Sequence, residues 1–308
     1  MPKPVQRNAV LALLLLAAIW SYNWIVMKQV LRWSGPFEFS AWRYALGTLV
    51  LFAALRLRGV SLRPPPLLPV LLVGLSQTMA FQALVQWALV DGGAGKTALL
   101  AYMMPFWAVP VAWLALRERP TGLQLASIAV ALAGLLLVLE PWHGLGVPGS
   151  AALAIGGGAC WAIGMVLSKR LFQRGEAGLL SLTAWQMLVG SLGLVVIAAC
   201  VDERGIEWNV SFVAALAYNA VLASGLAWLL WSYVVERVPT SVAGLSSLLV
   251  PVLGVLLAWV LLGEAPSLSE AAGIALVAVA LLVVGTRGKR DGDAATVRKP
   301  PQRDHERA

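Results

Sequence analysis

Apolar runs of about 20 residues, the length that crosses a bilayer, recur along this chain with short polar breaks between them. The pattern predicts an all-α membrane protein of ten transmembrane helices. Five fall at residues 9–30, 38–56, 67–90, 96–116 and 121–139, and five at 150–168, 180–200, 210–234, 240–262 and 270–286. The breaks hold turn formers such as Pro64-Pro65-Pro66, Asp91-Gly92-Gly93 and Gly144-Leu145-Gly146. The organisation that follows is a short tail (1–8), a five-helix unit (9–139), a connecting loop (140–149), a second five-helix unit (150–286) and a basic tail (287–308). The last tail is charged and almost free of large apolar residues, so disorder is expected there. Lys3 and Arg7 before an apolar run resemble a signal peptide, but the run continues through Trp20, Trp24 and Ile25 and is too long for one. A retained first helix is the reading.

The two five-helix units repeat each other. Trp20 and Lys28 precede Trp161 and Lys169 by 141 residues, so each unit opens with Trp-x7-Lys. Ala41-Trp42 with Gly47-Thr48-Leu49 matches Ala184-Trp185 with Gly190-Ser191-Leu192 at an offset of 143. Pro105, Glu118 and Pro120 match Pro251, Glu264 and Pro266 at an offset of 146. Because five is odd, the second unit is expected to enter the membrane in the opposite sense. Inverted repeats of this kind hold a substrate near mid-membrane, between the units.

Composition and charge sharpen this picture. Apolar residues make up 59% of the chain and charged ones 12%, against roughly 45–50% apolar in a soluble domain. The surplus is expected to face lipid. The net charge of +8 does not imply a nucleic-acid partner, because the basic residues lie in loops and tails beside apolar runs. With the N-terminus in the cytoplasm, 18 of the 23 Lys and Arg fall inside, four (Lys28, Arg32, Lys96, Arg204) outside, and Arg43 within helix two. Both termini are therefore expected to be cytoplasmic. Cys160 and Cys200 have no metal-ligand spacing, and His143 and His305 sit in a loop and the tail. No metal and no cofactor are indicated, and the oligomeric state is not legible.

Two motifs imitate nucleotide sites. Gly95-Lys96-Thr97 resembles the end of a P-loop, but Val90 stands where its first glycine is needed. Gly144 to Gly149 fits GxGxxG, but Pro148 interrupts the helix start that such a site needs. No catalytic triad or carboxylate pair stands out, and the chain does not read as an enzyme.

Polar groups inside a membrane are costly and mark candidate sites. Thr78, Gln82 and Gln86 lie at i, i+4 and i+8 on helix three, and the repeat gives Ser224, Trp228 and Ser232 on helix eight. This preserved stripe is expected to face a shared central cavity, with interhelical hydrogen bonding as the competing explanation. Trp20 and Trp24 on helix one, Trp161 and Met165 on helix six, and Tyr102 complete the candidate lining for a flat solute. Trp33, Trp142 and Trp208 read as interfacial belt residues. Arg43 is either a carboxylate contact or, on its depth, a snorkelling side chain. No Asp or Glu lies mid-span, so coupling to protons through a buried carboxylate is not expected.

Together the two repeats, the paired Trp-x7-Lys openings, Trp42-Arg43-Tyr44, Pro105 with Pro251, and Glu118-x-Pro120 with Glu264-x-Pro266 resemble the drug/metabolite transporter superfamily, in particular its ten-helix EamA family. The likeness covers about residues 8–286 and is similar in kind to bacterial aromatic amino-acid exporters. It implies export of a small molecule through a central cavity between the repeats, by alternating access. Gln186 departs from the second arginine the family often has, and helix one lacks the glutamate of the small multidrug relatives. The alternatives are a carrier of amphipathic drugs or organic cations and a non-transporting membrane sensor or scaffold.

Overall fold

A computed structural model of the chain describes residues 4–144, 147–262 and 267–297. Among the described residues all regular structure is helical. In the first half run α1 (Pro4–Val30), α2 (Pro36–Leu57), α3 (Leu67–Val73), α4 (Phe81–Asp91), α5 (Ala94–Ala101), α6 (Met104–Leu116) and α7 (Gly122–Leu139). In the second run α8 (Pro148–Gln173), α9 (Leu179–Cys200), α10 (Val210–Tyr218), α11 (Ala227–Arg237), α12 (Thr240–Ser247), α13 (Leu249–Leu262) and α14 (Leu268–Val297). Among the described residues seven stretches are long and apolar enough to cross a membrane: Asn8–Val30, Leu67–Asp91, Ala94–Leu116, Gly122–His143, Pro148–Gln173, Leu179–Cys200 and Val210–Arg237. Shorter apolar helices lie at Thr240–Gly254 and Leu268–Val283. α2 matches the crossing helices in length, at 22 residues, but carries Glu38, Arg43 and Arg56.

Four of the sequence-predicted helices are not continuous α-helices. The stretch 67–91 passes through a π-helical turn at Gly74–Ala80, and 210–237 does so at Asn219–Leu226. The stretch 94–116 breaks at Tyr102 and Met103, just before Pro105, which has no N–H to give to the preceding turn. α12 and α13 break likewise at Leu248, before Pro251. Period-3.6 patterning sees neither device, because the apolar content does not change across them.

Helix ends are fixed by recurring chemistry. Thr121 and Gln124 form a reciprocal cap at the start of α7 (2.8 and 3.3 Å), and Ser267 and Glu270 repeat it before α14 (2.8 and 3.1 Å). Glu118 accepts from the Thr240 N–H at the start of α12 (3.2 Å); its sequence partner Glu264, with Pro266, lies outside the described residues. α14 runs from Leu268 to Val297.

Helices associate in a membrane through close packing rather than apolar burial. α7 and α14 cross where Gly134 and Gly273 each lie against the other's carbonyl. The centre of the molecule is aromatic, with Trp161, Trp228, Trp231, Tyr44 and Tyr102 fully buried. Trp142 and Trp208 are exposed, with Trp42, Trp87, Trp107 and Trp113, and Trp33 is half-buried.

Candidate functional site

α1 and α4 from the first half meet α8 and α11 from the second around one aromatic cluster. Trp20 packs edge-on against Trp161 (centroids 5.5 Å, 79°) and Trp228 (5.3 Å, 66°). Phe81 tilts onto Trp161 at 5.0 Å. Tyr102, at the α5–α6 break, meets Trp161 at 5.4 Å and Trp24 at 6.1 Å. The break thus turns an aromatic ring into the centre that a continuous helix would carry past it.

Hydrogen bonds pin the rings from both halves. Trp20 donates its indole N–H to the Ala223 carbonyl in the second π turn (3.0 Å). Trp228 donates to the Tyr44 hydroxyl (3.0 Å), which also accepts from Arg43 Nη2 (3.1 Å). Arg43 Nη1 donates to Asn219 Oδ1, in that same π turn (2.8 Å). The guanidinium lies over the Tyr44 ring at 4.7 Å. On the other side, Thr78 in the first π turn donates to Gln186 Oε1 (2.6 Å). Arg43 and its repeat equivalent Gln186 therefore each hold the π turn of the opposite half.

Between these rings lies a cavity of about 30 Å³, bordered by Trp20, Asn23, Trp24, Met27, Arg43, Tyr44, Phe81, Gln82, Val85, Tyr102, Trp161 and Trp228. It has room for a water or two. Four polar atoms of these bordering residues are buried without a partner: Asn23 Oδ1, Arg43 Nε, Gln82 Nε2 and Trp161 Nε1. A larger cavity, about 480 Å³, opens near the end of α8, between Glu118, Arg119, Lys169, Gln173 and Arg237. Among the described residues no three His, Cys, Asp or Glu side chains group as metal ligands would.

Of the residues singled out in the sequence, Trp20, Trp24, Arg43, Gln82, Tyr102, Trp161 and Trp228 border the central cavity. Thr78, Gln86, Met165, Ser224 and Ser232 are buried but do not. Thr78 faces α9 as described, Gln86 reaches the Met27 carbonyl (3.4 Å), and Ser232 accepts from Thr183 (2.9 Å). Ser224 lies under Gly47, and Met165 packs in the apolar core. The predicted single stripe divides because Thr78 and Ser224 lie within π turns, whose wider winding rotates them away from the positions four residues on. Arg43 does not snorkel. It is 2% exposed and turned inward.

Asn23, Tyr44, Phe81 and Asn219 complete the site and were not singled out from the sequence. Asn23 and Asn219 are polar residues within apolar runs, the same signal that marked Gln82. Tyr44 and Phe81 carry no signal of their own, since most buried aromatics only pack.

The sequence pattern of the EamA-like transporter family matches residues 7–140 and 149–286. A Bacillus subtilis protein named "Uncharacterized transporter YoaV" is 24% identical over 88% of this chain and 94% of its own length. A Salmonella typhimurium protein named "Probable amino-acid metabolite efflux pump" is 27% identical over 88% of this chain and 92% of its own. One solved crystal structure superposes with a TM-score of 0.74 at 23% identity, over 92% of this chain and 98% of that one, and shares the fold. A repeated helical unit, apolar helices long enough to cross a bilayer and a match to one family across both halves lead to one conclusion: this chain is a multi-pass membrane protein that belongs to the EamA-like transporter family.

Proposed function

We propose that the protein exports small metabolites from bacterial cells, amino acids above all and aromatic ones in particular, by alternating access at the central cavity. The observation that carries this reading is that aromatic box: rings from both halves enclose unpaired polar atoms. Flat apolar side chains fit ring edges and faces, and the unpaired atoms offer hydrogen bonds to a polar head. The relative named as an amino-acid metabolite efflux pump supports the same substrate class.

In this reading ten spans form two inverted five-helix repeats, with both termini cytoplasmic in the inner membrane. Its support is geometric. Ser150, at the start of α8, donates to the Ala88 carbonyl near the end of α4 (2.6 Å). Lys28, at the end of α1, reaches that same end of α4. The start of α8 therefore lies beside the end of its repeat equivalent α1, as inversion requires. The charge bias then puts the cavity beside Lys169 and Arg237 on the cytoplasmic side. The central cavity has room for a water or two but not for an amino acid, so this conformer is closed around its site and substrate entry requires the halves to part.

A second reading is a carrier of amphipathic cations, since ring faces attract cations. Flux through proteoliposomes separates the two. A panel of amino acids and cationic dyes, with and without a pH gradient, should show saturable phenylalanine flux and none of the dyes. Dye flux without amino-acid flux would select the cation carrier, and flux of neither class would remove the transport reading.

A further inference from the structure

The central cavity holds an imbalance that its own residues do not resolve. Arg43 is a buried guanidinium, a cation. Among the described residues, no carboxylate pairs with it. Its contacts are all neutral: the Asn219 amide, the Tyr44 hydroxyl and the ring faces of Tyr44 and Phe39. Of its five N–H donors, those bonds engage Nη1 and Nη2, and Nε has no acceptor. Two more donors are unsatisfied on residues that border the same cavity, Gln82 Nε2 and Trp161 Nε1. The indoles of Trp20 and Trp228 are already engaged, so the free N–H of Trp161 is a difference within the box. Asn23 Oδ1 is an acceptor of a bordering residue buried without a partner, and its own amide nitrogen is turned to Met27 Sδ (2.9 Å).

Buried polar atoms are normally paired, and a set left open around one cavity describes the complement of what fills it. Three unpaired donors, one of them a permanent cation, describe an anion with several acceptor oxygens. One unpaired acceptor describes a donor beside it. We propose that the site takes a zwitterion. The substrate carboxylate is held by Arg43 with Gln82 and Trp161 as co-donors, and its ammonium by Asn23 Oδ1. The assignment rests on the transport reading above and deepens it by naming the two groups a substrate must carry. It also gives Arg43 a discriminating role: an organic cation brings a second positive charge to a cavity that already holds one, and like charge at short range is repelled most strongly where water is excluded.

Direct binding to purified wild-type protein tests this without any mutation. Phenylalanine is compared with phenethylamine, which lacks the carboxylate, and 3-phenylpropionate, which lacks the amine. Both analogues should bind at least about tenfold more weakly, because each leaves buried polar atoms unpaired. Arg43→Gln should weaken phenylalanine and bring it level with phenethylamine, whereas Arg43→Lys, which keeps the charge, should retain part of the preference. Asn23→Leu should level phenylalanine with 3-phenylpropionate while leaving the preference for a carboxylate in place. If phenethylamine binds wild type as well as phenylalanine does, the zwitterion site is overturned, while amino-acid export stands if phenylalanine is still transported. If Arg43→Gln does not fold, the three ligands on wild type still decide the matter. If none of the three binds wild type, the zwitterion site is overturned together with the reading it rests on.

Discussion

Lys28 and Lys169 make the same contact at equivalent places in the two halves. Lys28 Nζ donates to the carbonyls of Leu89, Val90 and Gly92 (2.6, 3.2 and 2.9 Å). Lys169 Nζ donates to those of Val235, Glu236 and Val238 (2.9, 3.1 and 2.8 Å). The accepting residues are 146 positions apart in each case, and the lysines 141. In both halves the carbonyls end the helix that carries the π turn. The last carbonyls of a helix have no partner of their own and carry its negative end, so a cation there seals the end of the least regular helix in each half.

Replacing either lysine with methionine keeps the apolar stem and removes the seal. Lys28→Met and Lys169→Met should each lower stability by about 2 kcal/mol, the scale of hydrogen bonds to a charged group. Nineteen residues of α8 separate Lys169 from Ser150, or about 28 Å along a helix, and Ser150 sits at the Lys28 end. Two losses so far apart should add. Thermal unfolding of the detergent-purified single and double variants checks this; an unchanged melting temperature would mean the seals are not needed.

The first π turn is gripped from two sides. A methyl at Gly190 of α9 would collide with the Thr78 side chain, and one at Gly164 of α8 with Gln77. Overpacking of this kind costs about 1–3 kcal/mol. Gly190→Ala should therefore lower the melting temperature, whereas Gly178→Ala, at the open start of α9 with nothing within 4 Å, should not. Equal melting of the two variants would show that the π turn yields freely to its neighbours.

Outside the spans, Glu203 accepts hydrogen bonds from the N–H groups of Phe37 (3.1 Å) and Glu38 at the start of α2. Burial pushes its carboxyl pKa above the ordinary value, against the pull of those two N–H groups, and the charge of Glu38 adds to the rise. A raised folded pKa means the protonated form is the better fit. Its stabilisation is complete below the ordinary carboxylate pKa and is lost as pH rises through Glu203's own, higher one. Glu203→Gln is neutral throughout. Relative to the variant, wild type should lose melting temperature as pH is raised from about 4 to 7. A pH-independent difference between them would contradict the burial reading.

Much of the arrangement is legible in the residues alone. The Trp-x7-Lys pair locates two equivalent lysine seals, and Pro105 and Pro251 mark two equivalent breaks. Polar residues in apolar runs lead to Gln82, and the same rule applied throughout reaches Asn23 and Asn219. What stays hidden is winding. A π turn changes which way Thr78 and Ser224 face without altering composition, so a stripe drawn at 3.6 residues per turn joins residues that the fold separates. Arg43 misleads for a related reason. Its depth permits snorkelling, but Asn219 and Tyr44, each distant or silent in the sequence, hold it inward.

The central claim is that the aromatic cavity carries substrate. It is tested most directly by the initial rate of phenylalanine efflux from proteoliposomes holding wild type or Gln82→Ala, at matched amounts of folded protein. Gln82 is 3% exposed, and its amide nitrogen has no partner to lose, so its removal should spare the fold. Saturable wild-type efflux that persists without a proton gradient, slowed by about tenfold or more in Gln82→Ala, is the predicted result. Equal rates in wild type and variant would contradict the account.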